Sequence, residues 1–143
     1  MVSQDIKHLF DEYAAGYNRL DAAAIPAFYA EWAMAAAPNF VGCTQNNEAL
    51  LAAIEQAYAF YQSIGMCSAE ILALDETTLD ERYSLVRVQW ATKFQRTGDE
   101  PITFAISYLV WRSSDGPRII LFISHEDELA VMRAKGLIPG DGE

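Results

Sequence analysis

The spacing of hydrophobic residues changes from helical in the first half of the chain to strand-like in the second half. Between residues 4 and 64, apolar side chains recur at helical intervals along three segments, which predicts amphipathic helices. Ser3 and Asp21 are candidate caps for the first two helices, and Gly65 is a candidate stop for the third. The predicted helices span residues 4–20, 22–32 and 48–64.

From residue 68 onwards the hydrophobic period is two, which is typical of strands. Residues 83–94 alternate cleanly between apolar and polar positions. Residues 102–112 and 119–123 are apolar on both faces, so the predicted sheet needs a cover on each side. Residues 33–41 are interrupted by Pro38 and predict only a short edge strand. The remaining predicted elements are a first meander strand at 68–75 and a last helix from a cap at Asp127 to residue 135.

Composition and charge narrow the class of protein. The 143 residues, 52% of them hydrophobic, fit one domain, which we predict at 1–138 with a frayed tail at 139–143. The 20 acidic and 10 basic side chains give a net charge of −10, which disfavours binding to nucleic acid or to an anionic membrane. Because the chain shows no leader pattern and no apolar run of ~20 residues, we expect a cytoplasmic protein without a membrane span.

Side chains that could hold metals or cofactors are sparse. Cys43 and Cys67 lack the CxxC spacing of a zinc or redox site. Residues 125–128, HEDE, superficially resemble a metal cluster, but neighbouring residues on a strand point to opposite faces and cannot converge on one ion. The isolated glycines form no dinucleotide fingerprint or phosphate-binding loop. We therefore expect no metal and no cofactor.

The order of the predicted elements, two helices, a short strand, a third helix and a meander of long strands, resembles the nuclear transport factor 2-like superfamily. Residues 13–21, YAAGYNRLD, followed by Ile25, Phe28 and Tyr29, are similar to the family's first helix, turn and second helix. Residues 111–119, WRSSDGPRI, are similar to its penultimate hairpin. The resemblance implies an α+β fold, a cone-shaped roll whose N-terminal helices pack on a strongly curved, mostly antiparallel sheet and enclose a cavity.

Some members of this superfamily are enzymes, among them ketosteroid isomerases, SnoaL-like polyketide cyclases, scytalone dehydratase and limonene epoxide hydrolase. Carrying the isomerase site over position by position from Asp21 places its oxyanion-hole tyrosine at Tyr13. Its general-base aspartate falls at Ala37, and its protonated aspartic acid falls at Ser107. Because such a base accelerates the reaction about 10²–10⁴-fold, its absence disfavours steroid isomerisation.

The resemblance also indicates which side chains would line the cavity. Tyrosines on the inner faces of the helices would supply polar edges in an otherwise apolar pocket, and the family's strand frame supplies the rest. Tyr13 is the best candidate for a polar group that binds a ligand. The expected ligand-binding residues are Tyr13, Tyr17, Phe28, Tyr58, Tyr61, Trp90, Thr92, Ser107, Leu109, Trp111, Phe122 and Ser124.

Two carboxylates are catalytic candidates beside Tyr13. In the same strand frame Glu126 lies at the cavity mouth, where apolar neighbours would raise its pKa toward neutrality and make it a possible base. Asp127 follows it directly. The alternative interpretation of Glu126 is a solvated strand end. His125 would face away from the cavity.

Three functions fit these observations. The first is a homodimeric domain whose cavity binds a small, largely apolar or aromatic molecule. The second is an enzyme of the cyclase, dehydratase or isomerase kind, in which Tyr13 polarises a carbonyl and Glu126 or Asp127 moves a proton. The third is a structural or partner-binding module whose own aromatic side chains fill the cavity. The dimer would use the convex face of the sheet. Its expected residues are Tyr108, Val110, Ile119, Leu121 and Ile123.

Overall fold

In this computed structural model, which describes residues 2–138, helices pack on one face of a six-stranded sheet. The helices are α1 (Gln4–Asn18), α2 (Glu48–Ser63) and α3 (Glu128–Ala134), with short 3-10 helices at Ala22–Phe28 and Gln95–Thr97. The strands are β1 (Tyr29–Ala37), β2 (Phe40–Gln45), β3 (Met66–Thr78), β4 (Tyr83–Phe94), β5 (Ile102–Ser113) and β6 (Gly116–Ser124). No helix among residues 2–138 is long and apolar enough to cross a membrane. The tail predicted at 139–143 lies outside the described residues.

The sheet has the strand order β2-β1-β6-β5-β4-β3. Neighbouring strands run antiparallel except β1 and β6, which are parallel. Register shifts interrupt the β1–β6, β3–β4 and β5–β6 pairings, and irregularities of this kind bend a sheet. The sheet is open, with β2 and β3 at its edges. The expected α+β class with a mostly antiparallel sheet is confirmed.

The first and third predicted helices form where the hydrophobic pattern indicated. α1 buries Phe10 and Tyr13 on its inner face. The Asn47 side chain caps α2 by accepting a hydrogen bond from the Ala49 N–H at 2.8 Å. Gly65 follows α2 with φ at +80°, a left-handed conformation that glycine adopts without strain. Local sequence signals are therefore sufficient for these two helices.

The second predicted helix is wrong beyond residue 28. Residues 22–28 form a 3-10 helix, and the chain continues as β1, which pairs in parallel with β6 from Tyr29 onwards. Pro26 disfavours a longer α-helix because it has no N–H group. The Asn46 amide donates to the carbonyls of Pro26 and Tyr29 at 2.8 and 3.2 Å, which holds the end of the 3-10 helix. Pro38 lies in the turn between β1 and β2 rather than inside a strand.

The register between β4 and β5 determines which side chains of β5 face the helices. Trp90 lies opposite Phe104, and Val86 lies opposite Tyr108. Directly opposed residues of two paired strands point to the same face, so the even-numbered residues of β5 share the helix-covered face with Trp90. The sequence predicted that three odd-numbered residues of β5 line the cavity, and this prediction is wrong. These residues lie on the convex face of the sheet: Ser107, Leu109 and Trp111.

The expected dimer face is wrong for the same reason at three positions. Tyr108, Val110 and Ile119 are 2%, 0% and 0% exposed and belong to the core beneath the helices. Leu121 and Ile123 lie on the convex face as expected, since they pair with Leu109 and Ser107. Both faces of β5 and β6 are apolar, so the pattern alone could not choose between two frames that differ by one residue.

A partly buried ion-pair network ties the start of α1 to the sheet. Arg112 of β5 contacts Asp5 at 2.7 Å and Glu76 of β3 at 3.0 Å. Ser3 does not cap α1 through its side chain, and its N–H donates to Glu76 at 2.8 Å. The Glu76 side chain is 3% exposed. Although burial opposes ionisation, the hydrogen bonds from its serine and arginine partners lower the pKa of Glu76 to about 2.

Candidate functional site

A cavity of about 570 Å³ lies between the helices and the concave face of the sheet. α1 and α2 form one wall, and β1, β4, β5 and β6 form the other. Its lining also includes the exposed residues Asn39, Phe40 and Leu129, so the β1–β2 turn and the start of α3 mark its mouth. Most of the interior surface is apolar. The aromatic residues that line it are Tyr13, Tyr17, Tyr29, Phe40, Phe60, Tyr61, Trp90, Phe94, Phe104, Tyr108 and Phe122.

Most of the residues expected from the sequence lie in this lining. They are Tyr13, Tyr17, Tyr61, Trp90, Thr92, Phe122 and Ser124. Phe28 and Tyr58 do not line the cavity but stand behind it. The Phe28 ring packs edge-on against Tyr13 with centroids 5.6 Å apart, and the Tyr58 ring packs against Tyr17 at 5.1 Å. Helical periodicity therefore identified the layer of aromatic residues but not which of them reach the cavity.

Three tyrosine hydroxyls lie close together in the wall of the cavity. The hydroxyl oxygens of Tyr13 and Tyr29 are 2.6 Å apart, and Tyr17 is 3.5 Å from Tyr13. Tyr13 and Tyr29 are 3% and 6% exposed, and burial raises the pKa of each hydroxyl, so both are neutral donors and acceptors. Tyr29 was not among the expected residues because it was assigned to a helix. Its position on β1 depends on the pairing with β6, which no local signal indicates.

Trp90 and Tyr108 form a second polar pair on adjacent strands. The Trp90 indole N–H donates to the Tyr108 hydroxyl oxygen at 3.0 Å. Both residues line the cavity and are 6% and 2% exposed. Tyr108 was missed because the sequence placed it on the convex face.

Glu128 supplies a partly buried carboxylate at the cavity wall. Burial raises the pKa of its carboxyl from the usual value, and the Ser124 hydroxyl donates to it at 2.5 Å. Burial also raises the pKa values of Tyr17, Tyr61 and Tyr108, and the charge of Glu128 adds to each increase. These hydroxyls and the carboxylate therefore interact across a common space. The predicted cap at Asp127 was the available signal, since it places Glu128 at the first position of a helix beside the strand end.

The two carboxylates expected to be catalytic also line the cavity, but each is already hydrogen-bonded within the fold. Glu126 accepts the Ala105 N–H at 3.0 Å, which extends the β5–β6 pairing. Asp127 caps α3 by accepting the Ala130 N–H at 3.1 Å. It also accepts from the Asn39 amide at 3.0 Å, which joins the β1–β2 turn to α3. Both side chains have structural roles at the mouth.

The charges around the cavity are of one sign. Within residues 2–138, the lining contains the carboxylates of Glu126, Asp127 and Glu128 and no Lys, Arg or His side chain. His125 faces away, as expected, and its Nε2 lies 2.7 Å from the Ser107 hydroxyl on the convex face. No group of three His, Cys, Asp or Glu side chains in the described part of the chain could hold a metal ion.

The fold and the cavity together define a nuclear transport factor 2-like domain, as the resemblance implied. The model of the family NTF2-like protein (DUF6841) matches residues 4–127, so the chain belongs to this family. None of the curated proteins compared with the chain matches it.

Solved structures with this fold are similar to the chain at low sequence identity, which shows the fold alone. An NTF-2 like protein of unknown function from Shewanella oneidensis has a TM-score of 0.71 and 22% identity, over 88% of this chain and 100% of that one. An NTF2-like protein with a cystatin-like fold from Novosphingobium aromaticivorans has a TM-score of 0.71 and 18% identity, over 92% and 86%. A protein proposed to be a scytalone dehydratase, from the same organism, has a TM-score of 0.68 and 15% identity, over 85% and 80%.

Proposed function

We propose that this domain binds a small, neutral and largely apolar molecule in its cavity. The observation that carries the proposal is the space itself. About 570 Å³ is enclosed by aromatic and small apolar side chains, and small-molecule sites typically measure roughly 300–1,000 Å³. A purely structural module filled by its own aromatic side chains would not leave this volume. Burial of apolar ligand surface would provide most of the binding free energy.

The acidic lining determines which apolar molecules fit. A ligand that carries a carboxylate, sulfonate or phosphate would be repelled by the carboxylates of Glu126, Asp127 and Glu128, with no cation among the described lining residues to offset the repulsion. Neutral ligands avoid this cost. The tyrosine hydroxyls and Glu128 could then orient one or two polar groups of the ligand.

Titration with N-phenyl-1-naphthylamine, a neutral dye whose fluorescence rises in apolar surroundings, tests this proposal. We expect a saturable increase in fluorescence with wild-type protein. Ala57 lines the cavity from α2, so the indole of Ala57→Trp should occupy part of it and weaken the increase. Ala59 is exposed on the same helix, and Ala59→Trp is the matched control that should bind like wild type. Equal fluorescence from the two variants would contradict the proposal, since the dye would then bind elsewhere.

A proton-transfer enzyme is the second candidate, and Glu128 is the observation that favours it. The sequence pointed to Glu126 or Asp127 as the base, but backbone N–H groups already occupy both. Glu128 accepts a single side-chain bond, from Ser124, and burial raises its pKa toward the range useful for a general base. The similarity to a protein proposed to be a scytalone dehydratase adds only an analogy of fold.

Hydrogen–deuterium exchange separates this candidate from simple binding. The Glu128 carboxylate would take a proton from the carbon beside the carbonyl of a bound ketone, and the C–H electron pair would pass into an enolate. Return of a deuteron from the exchanged carboxyl would complete the cycle. We expect proton NMR in D₂O to show loss of the methyl signal of 2-acetonaphthone with wild-type protein and not with Glu128→Gln. The control Glu55→Gln changes an exposed position on α2. The same exchange rate with and without protein would exclude this candidate.

We also propose that the convex face of the sheet forms a homodimer. Leu85, Leu109 and Leu121 are opposed in register on β4, β5 and β6 and make an apolar row across this face. Leu85 and Ile123 are 38% and 36% exposed. A two-fold axis would place the same row of both copies in contact, as a symmetric dimer requires.

A further inference from the structure

The hydrogen bond between Trp90 and Tyr108 determines what the Tyr108 hydroxyl can do. An indole N–H can only donate a hydrogen bond, whereas a phenol hydroxyl can donate one and accept others. In the 3.0 Å contact the Trp90 Nε1 is therefore the donor and the Tyr108 oxygen is the acceptor. The hydroxyl hydrogen of Tyr108 is left for another partner.

The structure provides no such partner within residues 2–138. No described side chain or carbonyl accepts a hydrogen bond from Tyr108. The residue is 2% exposed, so bulk water does not reach it freely, yet it lines the cavity. A buried donor without an acceptor is unfavourable. The free donor therefore belongs to a residue that lines the cavity, where a bound molecule could satisfy it.

The hydroxyls of Tyr13 and Tyr29 differ from that of Tyr108. Tyr13 and Tyr29 are bonded to each other at 2.6 Å, and Tyr17 is the next contact of Tyr13 at 3.5 Å. A ligand oxygen that approached this pair would compete with an existing short hydrogen bond. Tyr108 can donate to a ligand without losing a hydrogen bond, because its contact with Trp90 uses only its oxygen as an acceptor.

We propose that Tyr108 donates a hydrogen bond to an oxygen atom of the bound molecule, so that the ligand is a neutral, largely apolar compound with a carbonyl-type oxygen. This inference rests on the proposed binding function. A carboxylate oxygen would also accept the bond, but the acidic lining opposes it. The Trp90–Tyr108 pair then selects between an oxygenated ligand and a hydrocarbon of the same shape.

Two isosteric probes test the proposal. 2-Acetonaphthone has a carbonyl oxygen where 2-isopropenylnaphthalene has a methylene group. Each compound can be titrated as a competitor of N-phenyl-1-naphthylamine. We expect Tyr108→Phe to lower the preference for the ketone by about fivefold, the value of one hydrogen bond. Tyr58 lies behind the cavity, so Tyr58→Phe is the matched control and should leave the preference unchanged.

A spectroscopic measurement on wild-type protein does not depend on any variant folding. The carbonyl stretch of bound 2-acetonaphthone should lie at lower frequency than in an alkane solvent, as for a hydrogen-bonded ketone. A bound ketone with the frequency of the alkane solution, or an unchanged preference in Tyr108→Phe, would overturn the role of Tyr108 and leave the binding function standing. Failure of both probes and of the dye to bind would overturn the binding function and this inference together.

Discussion

Glu128 is partly buried and Tyr58 is buried, and the two side chains differ in how they are hydrogen-bonded. The Glu128 carboxylate accepts the Ser124 hydroxyl at 2.5 Å and lines the cavity. The Tyr58 hydroxyl has no hydrogen-bond partner among the described residues, and it does not line the cavity. A buried polar atom without a partner costs stability, whereas one that faces a cavity can be satisfied by a ligand. We therefore expect substitution of Tyr58 to change the stability itself and substitution of Glu128 to change how stability depends on pH.

Tyr58→Phe should stabilise the protein. Removal of an unsatisfied buried hydroxyl leaves the ring packing against Tyr17 intact, so the free energy of unfolding should rise by about 1 kcal/mol. Urea denaturation monitored by circular dichroism measures the change. Tyr13→Phe is the contrasting variant, since it removes a hydroxyl bonded to Tyr29 at 2.6 Å and should destabilise. A loss of stability in Tyr58→Phe would mean that its hydroxyl has a partner after all.

Glu128→Gln should change the pH dependence of stability in a defined direction. Burial raises the folded-state pKa of Glu128 above its model-compound value of 4.5. Its contribution to stability is therefore fully present at pH below 4.5 and is lost as pH rises through the folded-state pKa. Glutamine stays neutral and can still accept the Ser124 hydroxyl. We expect the stability of the variant relative to wild type to grow as pH rises above 4.5. A constant difference from pH 4 to 8 would contradict the burial argument.

Individual elements show where local sequence is sufficient and where it is not. α2 was predicted almost to the residue because Asn47 and Gly65 act locally, by capping and by a left-handed turn. β1 was predicted only in part, as a short edge strand at 33–41, because its parallel pairing with β6 joins residues far apart in the chain. The face of β5 was assigned wrongly because an apolar strand in a two-sided sheet carries no alternation that fixes its register.

The start of α1 depends on the sheet through Glu76. Its folded-state pKa of about 2 lies below the usual 4.5, so its contribution is present above pH 4.5 and is lost as pH falls toward 2. Glu76→Gln should reduce the free energy of unfolding at pH 7 by up to about 3 kcal/mol. It should also flatten the loss of stability in acid. Thermal melts at pH 3 to 7 test this, with Glu70→Gln, at an exposed position on the same strand, as the control. Parallel pH profiles for Glu76→Gln and wild type would contradict the role of the network.

Across the whole molecule, the order of the elements was enough to predict the fold class through its resemblance to the nuclear transport factor 2-like superfamily. It was not enough for the site. The helical tyrosines Tyr13, Tyr17 and Tyr61 were found from the apolar stripes of two helices. Tyr108 and Glu128 reach the cavity only through strand register and the start of α3. Because of the same register, the convex face is formed by different residues from those that the sequence predicted.

The revised convex face makes a specific prediction about assembly. Leu109 lies at the centre of the row formed with Leu85 and Leu121, so Leu109→Lys would place a charge in the middle of a dimer interface. We expect sedimentation velocity at micromolar concentration to show a wild-type dimer and a folded monomeric variant. Leu79 is 57% exposed in the turn after β3, and Leu79→Lys should remain dimeric. A monomeric wild type would refute the dimer, and a dimeric Leu109→Lys would place the interface on another surface.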